Sequence, residues 1–197
     1  DSKTDKYRLG PKAFDIGSVA ASHMEIRKIA RKHIEKLNKE TGETVHLVIE
    51  NNDEVLYLDK VDSIQPIRMN SFIGQRLYMH CTGVGKILLA YKPIEEVQRI
   101  CNQKGMPSST PKTITAFEKL LPDLRLTRER GYAIDDEESE LGLRCVAAPI
   151  YDYSNKVVAA ISVSIPLYRF EYREISDLAK IVIWTAEDIS YEMGNRK

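Results

Sequence analysis

Four polar side chains stand where chemistry would need them. Asp135 offers a carboxylate, Cys145 a thiol, and Ser162 and Ser164 two hydroxyls. The serines are separated by one residue, so on a strand they face the same side, together with Ala160. Small polar groups on an otherwise apolar sheet face suit the wall of a pocket for a small polar ligand. The bland alternative is that both serines only bond neighbouring backbone. A second candidate is Cys81-Thr82-Gly83-Val84-Gly85-Lys86, a turn opening into the apolar run Ile87–Ala90. Thr82 can cap such a helix, and its first amides favour an anion. The spacing of a phosphate-binding loop is absent. Equally, Gly83 and Gly85 can serve only to let the helix pack tightly.

Catalytic readings are weaker. His80 adjoins Cys81, but neighbours on an extended segment point apart, and no nucleophile-elbow motif is present. The acidic run Asp135-Asp136-Glu137-Glu138 has no histidine at ligand spacing, so a solvated loop is the plainer reading than a metal site. No cofactor is expected.

Stepping outward from these residues, the chain has 197 residues, 43% hydrophobic and 29% charged, with 29 basic against 29 acidic side chains. That is the composition of a soluble globular domain. A neutral balance argues against nucleic acid held by this segment itself. Three dispersed cysteines (Cys81, Cys101, Cys145) support no disulfide framework or zinc ribbon, and a reducing cytoplasm fits best. No run is long enough to span a membrane and no secretory signal opens the chain. The sequence begins without Met and reads as a segment of a longer protein.

The elements that must position the candidates follow from periodicity. Ile26, Ile29, Ala30, His33 and Leu37 share a helical face ending before Gly42, within a helical region from about Lys12 to Thr41. His33 reads as a core or interface residue. Thr44–Glu50 and Glu54–Val61 flank Asn51-Asn52-Asp53, a hairpin signal. A third strand is expected over Ile67–Phe72. Pro93 opens a helix to Gln103, and Thr115 to Glu118 has capping-box spacing before a helix that stops at Gly131. Arg144–Tyr151 and Val157–Ile165 flank a polar turn and form a second hairpin. Parity places Arg144 opposite Cys145, in a structural role. A helix over Glu171–Met193 closes the chain with a long apolar stripe. Hairpin-linked strands with helices between them predict an α+β fold with an antiparallel sheet of about six strands flanked by helices.

Three ordered segments carry a resemblance: HCTGVGKILLA (His80–Ala90), RERGYAIDDEESELGLRCVAAPIYD (Arg128–Asp152) and VVAAISVSIP (Val157–Pro166). With IRMNSFIGQRLYMH before them, they resemble the IclR family of bacterial transcription regulators, nearest to its sugar-acid-responsive members. The resemblance implies a GAF-like effector-binding and oligomerisation domain over residues 24–197. It implies that residues 1–23 are the end of a DNA-binding wing and a linker helix, the winged helix-turn-helix itself lying outside this chain. It further implies a homodimer or homotetramer and a small carboxylate or sugar-acid effector. DNA would be bound only through the N-terminal domain, and no membrane is involved. The pocket carried over by motif comprises Met69, Leu77, Gly83, Val84, Asp135, Leu143, Cys145, Ser162 and Ser164. Val84 stands where relatives often have a smaller residue. On this reading the effector carboxylate accepts from the Gly83–Gly85 amides and the serine hydroxyls. An oligomerisation module with a vestigial pocket, or a small hydrolase-like enzyme, are the rival readings.

Overall fold

The computed structural model describes residues 10–13, 15–17, 24–170 and 174–196. Residues 11–13 and 15–17 are helical. The expected wing end at Tyr7–Leu9, and residues 18–23 of the expected linker, lie outside the described residues. Helix α1 (Glu25–Thr41) stops at Gly42, whose φ of 73° and amide bond to the Asn38 carbonyl close it in the left-handed manner. Strands β1 (Thr44–Glu50) and β2 (Val55–Val61) pair antiparallel. Asn52 and Asp53 take positive φ in the turn between them, which their short polar side chains tolerate.

The third strand is not at Ile67–Phe72. Strand β3 is only Arg76–Leu77, paired with the start of β2. Residues 66–73 are mostly exposed loop, with Ile67 and Phe72 turned to solvent. The β-rich composition of that stretch found no partner strand, so propensity alone did not decide it.

Helices α2 (Gly83–Ala90), α3 (Ile94–Lys104) and α4 (Phe117–Arg130) follow. Helix α4 begins one residue later than a Thr115 cap requires. Its N-cap is Ala116, with no side-chain bond to the first turn. Strands β4 (Ala133–Asp136), β5 (Leu143–Tyr151) and β6 (Val157–Pro166) complete a six-stranded antiparallel sheet of order β3-β2-β1-β6-β5-β4. A short α5 (Leu167–Phe170) precedes the expected final helix, which is α6 (Ile175–Glu192); residues 171–173 of the expected span lie outside the described residues.

The sheet has two unlike faces. One presents Val45, Leu47, Val146, Ala148, Ile150, Ile161, Val163 and Ile165 to α1 and α6, which bury Ile34, Leu37, Val182 and Ile189 against them. Each such aliphatic side chain contributes on the order of 2 kcal/mol. The other face meets α2, α3 and α4 through Val48, Val55, Tyr57, Ala147 and Ala160, with Ile87, Leu89, Val97 and Leu120 packed on them. The helices on that second side leave room at one end for polar groups.

Candidate functional site

On the second face, strand register brings the expected side chains together. Cys145 lies opposite Ser164 and Ala147 opposite Ser162 across β5 and β6. Asp135 of β4 lies opposite Cys145. On the other flank, Thr44 and His46 of β1 lie opposite Ser164 and Ser162. Ser162, Ser164, Cys145 and Asp135 are all buried. Arg144 points the other way, bonded to Asp136 and stacked 4.8 Å over the Phe170 ring, as parity requires.

The polar atoms of this face bond one another. The Cys145 thiol donates to Ser164 Oγ at 3.2 Å. Ser164 Oγ lies 3.4 Å from His46 Nδ1, and the other ring nitrogen, Nε2, is 2.8 Å from Ser71 Oγ. The His46 ring rests on Tyr57, centroids 4.6 Å apart. Burial, and then the nearby Lys60 ammonium, push the His46 imidazole down to about 3. It is therefore neutral near pH 7, with one ring nitrogen donating and the other accepting. Lys60, opposite His46 in register, donates to the Ser71 carbonyl at 2.5 Å and pairs with Asp62 at 2.7 Å.

The thiols are poor nucleophiles. Burial holds the Cys145 thiol well above its ordinary value, and burial with the Asp135 carboxylate pushes Cys81 up to about 11. His80 is no base for Cys81. Its Nε2 bonds the Pro107 carbonyl at 3.1 Å, while the Cys81 thiol is turned to the Tyr78 carbonyl. Protonated thiols without a base do not start acyl transfer.

The acidic loop is not the solvated run expected of it. Asp135 Oδ1 accepts from the Glu138 and Ser139 amides at 2.8 and 3.2 Å, and the Ser139 hydroxyl donates to Oδ2. Burial still raises the Asp135 value, against the lowering effect of those donors. Glu138 is buried as well. The ammonium of Lys86, itself 1% exposed, reaches Glu138 Oε1 at 2.5 Å and Asp123 Oδ2 at 2.9 Å. Thr110 and Thr113 hydroxyls donate to the Glu137 and Glu138 carbonyls. Lys86 sits in the Gly-Val-Gly-Lys segment, but nothing in its spacing announces a partner 52 residues on.

At the opening of α2, Thr82 is the cap, accepting from the Gly85 amide at 3.1 Å. The Lys86 amide bonds the Thr82 carbonyl. The Gly85 amide is therefore already spent, contrary to its expected use by a ligand. Its lack of a side chain has a packing cause: a Cβ there would lie 2.3 Å from the Met79 carbonyl oxygen. Gly83 is different. A Cβ on it would make ordinary contact with Ala147 at 3.5 Å and with the Asp135 backbone nitrogen at 3.6 Å, so the helix opening lies directly over β4 and β5. Val84 is buried in the apolar cluster of this face, Met69 and Leu77 pack against its edge, and Leu143 is buried at the start of β5. His46, Tyr57, Lys60 and Ser71 also belong to this corner and were not singled out from the sequence. The alternation of β1 could have found His46, since Thr44, His46 and Val48 share a face.

The corner is closed. The four clefts described on the surface lie elsewhere; the largest, about 1180 Å³, is bordered by Tyr91, Arg128, Tyr151 and Tyr191. Residues 62–75 touch the polar cluster through Ser71, whose hydroxyl bonds His46 and whose carbonyl accepts from Lys60. Among the described residues no helix is long and apolar enough to cross a membrane, and no cluster of His, Cys, Asp or Glu is arranged to hold a metal.

Known proteins share this fold. The family model "Bacterial transcriptional regulator IclR C-terminal" matches residues 18–191. The transcriptional regulator KdgR of Dickeya chrysanthemi is 37% identical over 194 residues, which cover 98% of this chain and 64% of that protein. The chain thus spans somewhat less than two thirds of that relative's length. The crystal structure of Thermotoga maritima IclR superposes with a TM-score of 0.88 at 36% identity, over 95% of this chain and 76% of that one. The crystal structure of the C-terminal domain of Escherichia coli KdgR gives 0.79 at 36% identity, over 87% of this chain and 99% of that one. With the family model matched over most of its length and relatives that are named transcriptional regulators, the chain belongs to the IclR family of bacterial transcriptional regulators, in which it matches the C-terminal domain.

Proposed function

We propose that this domain senses a small carboxylate or sugar-acid metabolite at the closed polar corner of the sheet. The metabolite is bound, not transformed. The observation that carries the reading is the contrast between the two faces of β5 and β6. One face is aliphatic apart from Arg144 at the start of β5, whereas the other buries Cys145, Ser162 and Ser164, with His46 beside them. Buried hydroxyl, thiol and imidazole groups stabilise a core less than valine or isoleucine would, so their presence suits recognition better than packing. In this reading Met69, Leu77, Val84 and Leu143 supply apolar contact, Gly83 allows close approach, and Asp135 shapes the rim.

The bound effector shifts the balance between arrangements of a homodimer or homotetramer in the cytoplasm. That shift is read out by a DNA-binding domain N-terminal to residues 1–23, which form the wing end and linker in this proposal. Such a shift requires different effector affinity for the two arrangements.

A thermal-shift screen of this chain with keto acids, hydroxy acids, sugar acids and aromatic acids tests it. An effector at about 100 times its dissociation constant should add roughly 2.7 kcal/mol of stability. Sedimentation with the best acid should show a changed assembly. No stabilisation by any acid in the panel would favour an oligomerisation module with a vestigial pocket.

A further inference from the structure

Resting on the self-association proposed above, we infer that the outer face of α6 is a docking surface for a second copy of this chain. The two α6 helices lie antiparallel, and Trp184 marks the crossing.

Helix α6 buries one side only. Leu178, Val182, Ala186 and Ile189 turn toward the sheet. At about 100° per residue, the middle of that buried stripe is opposite Trp184. The one tryptophan of the chain therefore stands on the outermost line of the helix. It is 62% exposed, and so is Tyr191, about two turns further along the same line. The Arg196 guanidinium lies 4.1 Å over the Tyr191 ring, and Ile181 is only half-buried on the same side. Tryptophan, tyrosine and arginine are the side chains that contribute most at the centre of protein contacts. A run of them on the solvent side of a helix is a surface built to be covered.

The charges along this line indicate what covers it. Lys180 is four residues before Trp184, and Asp188 is four residues after. Asp177 is seven before, and Tyr191 is seven after. In an antiparallel pair centred on Trp184, that ring meets its own copy. Lys180 meets the second copy's Asp188, with Glu187 beside it. Asp177 meets the second copy's Tyr191 hydroxyl and the guanidinium stacked there. Each contact is returned by symmetry, as a two-fold axis requires. A stripe whose charges invert about one residue is complementary to itself. These charges are also available. Lys180 is joined only to Asp177, at 2.9 Å, with the two side chains 61% and 68% exposed. Glu187 and Asp188 hold no cation among the described residues. Exposed ion pairs add little affinity, so here they set direction and register while the aromatic centre supplies the attraction. One helix against one helix is a small contact, so the association is reversible, with a dissociation constant on the order of micromolar.

Sedimentation velocity and tryptophan emission, followed together through a dilution series of the whole chain, test this. Trp184 is the sole tryptophan, so the emission should move to shorter wavelength as the chain associates and return on dilution. Lys180→Glu should weaken association roughly tenfold, and Asp188→Lys likewise, because each places like charges together twice across the axis. An equimolar mixture of the two variants should associate as wild type does, since the mixed pair has both contacts with their signs exchanged. Recovery on mixing is not what damaged folding produces. Association that leaves the Trp184 emission unmoved, or variants that associate as wild type does, or variants that fail to recover together, would overturn the α6 surface alone. A wild-type chain that stays monomeric throughout the series overturns the self-association together with it.

Discussion

His46 is the residue whose chemistry depends most on where the chain has put it. A free imidazole titrates near neutrality, but burial and the Lys60 ammonium depress this one to about 3. Its folded value lies below the ordinary 6.5, so the unfolded chain takes up a proton that the folded one refuses. Stability is undiminished by this group above pH 6.5 and falls as pH drops toward 3, by on the order of 5 kcal/mol in all. Urea unfolding from pH 7 down to pH 4 should therefore show a decline to which His46 adds about one proton of slope. In His46→Gln that part of the slope should vanish, whatever the variant's stability at neutral pH. An identical slope in both proteins would mean that His46 is charged or solvated in the fold. Asp135 has the opposite sign. Its value is raised, first by burial, so it weakens the fold as pH rises through its titration.

At the scale of the element, helix α2 is the part most tightly specified. Eight residues, Gly83–Ala90, are all buried, including the ammonium-bearing Lys86. Its start is set by Thr82 and by the near contact of Gly85 with the Met79 backbone. Gly85→Ala should cost at least about 2 kcal/mol, because the obstructing atoms are backbone and have nowhere to go. Gly83→Ala should change stability by less than about 1 kcal/mol, since its Cβ meets only ordinary contacts, yet it narrows the space over Ala147. Equilibrium denaturation of the two variants separates them, and equal losses would show that the Gly85 contact relaxes. The segment over Ile67–Phe72 teaches the reverse lesson. Its apolar residues suggested a strand, but strands are made by partners. Here β2 is already flanked by β1 and by the two-residue β3.

For the molecule as a whole, the sheet divides the protein into an aliphatic packing side and the side that carries the proposed site. Helices α1 and α6 seal the aliphatic face, with His33 joined to Glu192 at 3.0 Å across their ends. Loop 62–75 and the α2 opening close the polar corner on the other side. Hydrogen exchange with a bound acid should accordingly change in residues 62–75 and in β1 and β6, while amides of α1 and α6 exchange as before unless assembly changes. Uniform protection of both halves would argue for global stabilisation without a local site.

Periodicity and turn chemistry alone determined much of this. The α1 stripe, the Asn52-Asp53 turn, the Thr82 cap, the Gly131 stop and the two-residue spacing of Ser162 and Ser164 are local facts, written in neighbouring residues. The motifs around Gly83, Asp135 and Ser164 were enough to mark the family. Only the tertiary structure decided that Lys86 neutralises Glu138 and Asp123, that Gly85 answers to the Met79 backbone, and that His46, Lys60 and Ser71 meet the serines. These are pairings between residues far apart in the chain. Each depends on strand register and on burial, which change the charge, the hydrogen-bond partners and the free space of a side chain without altering anything in the sequence beside it.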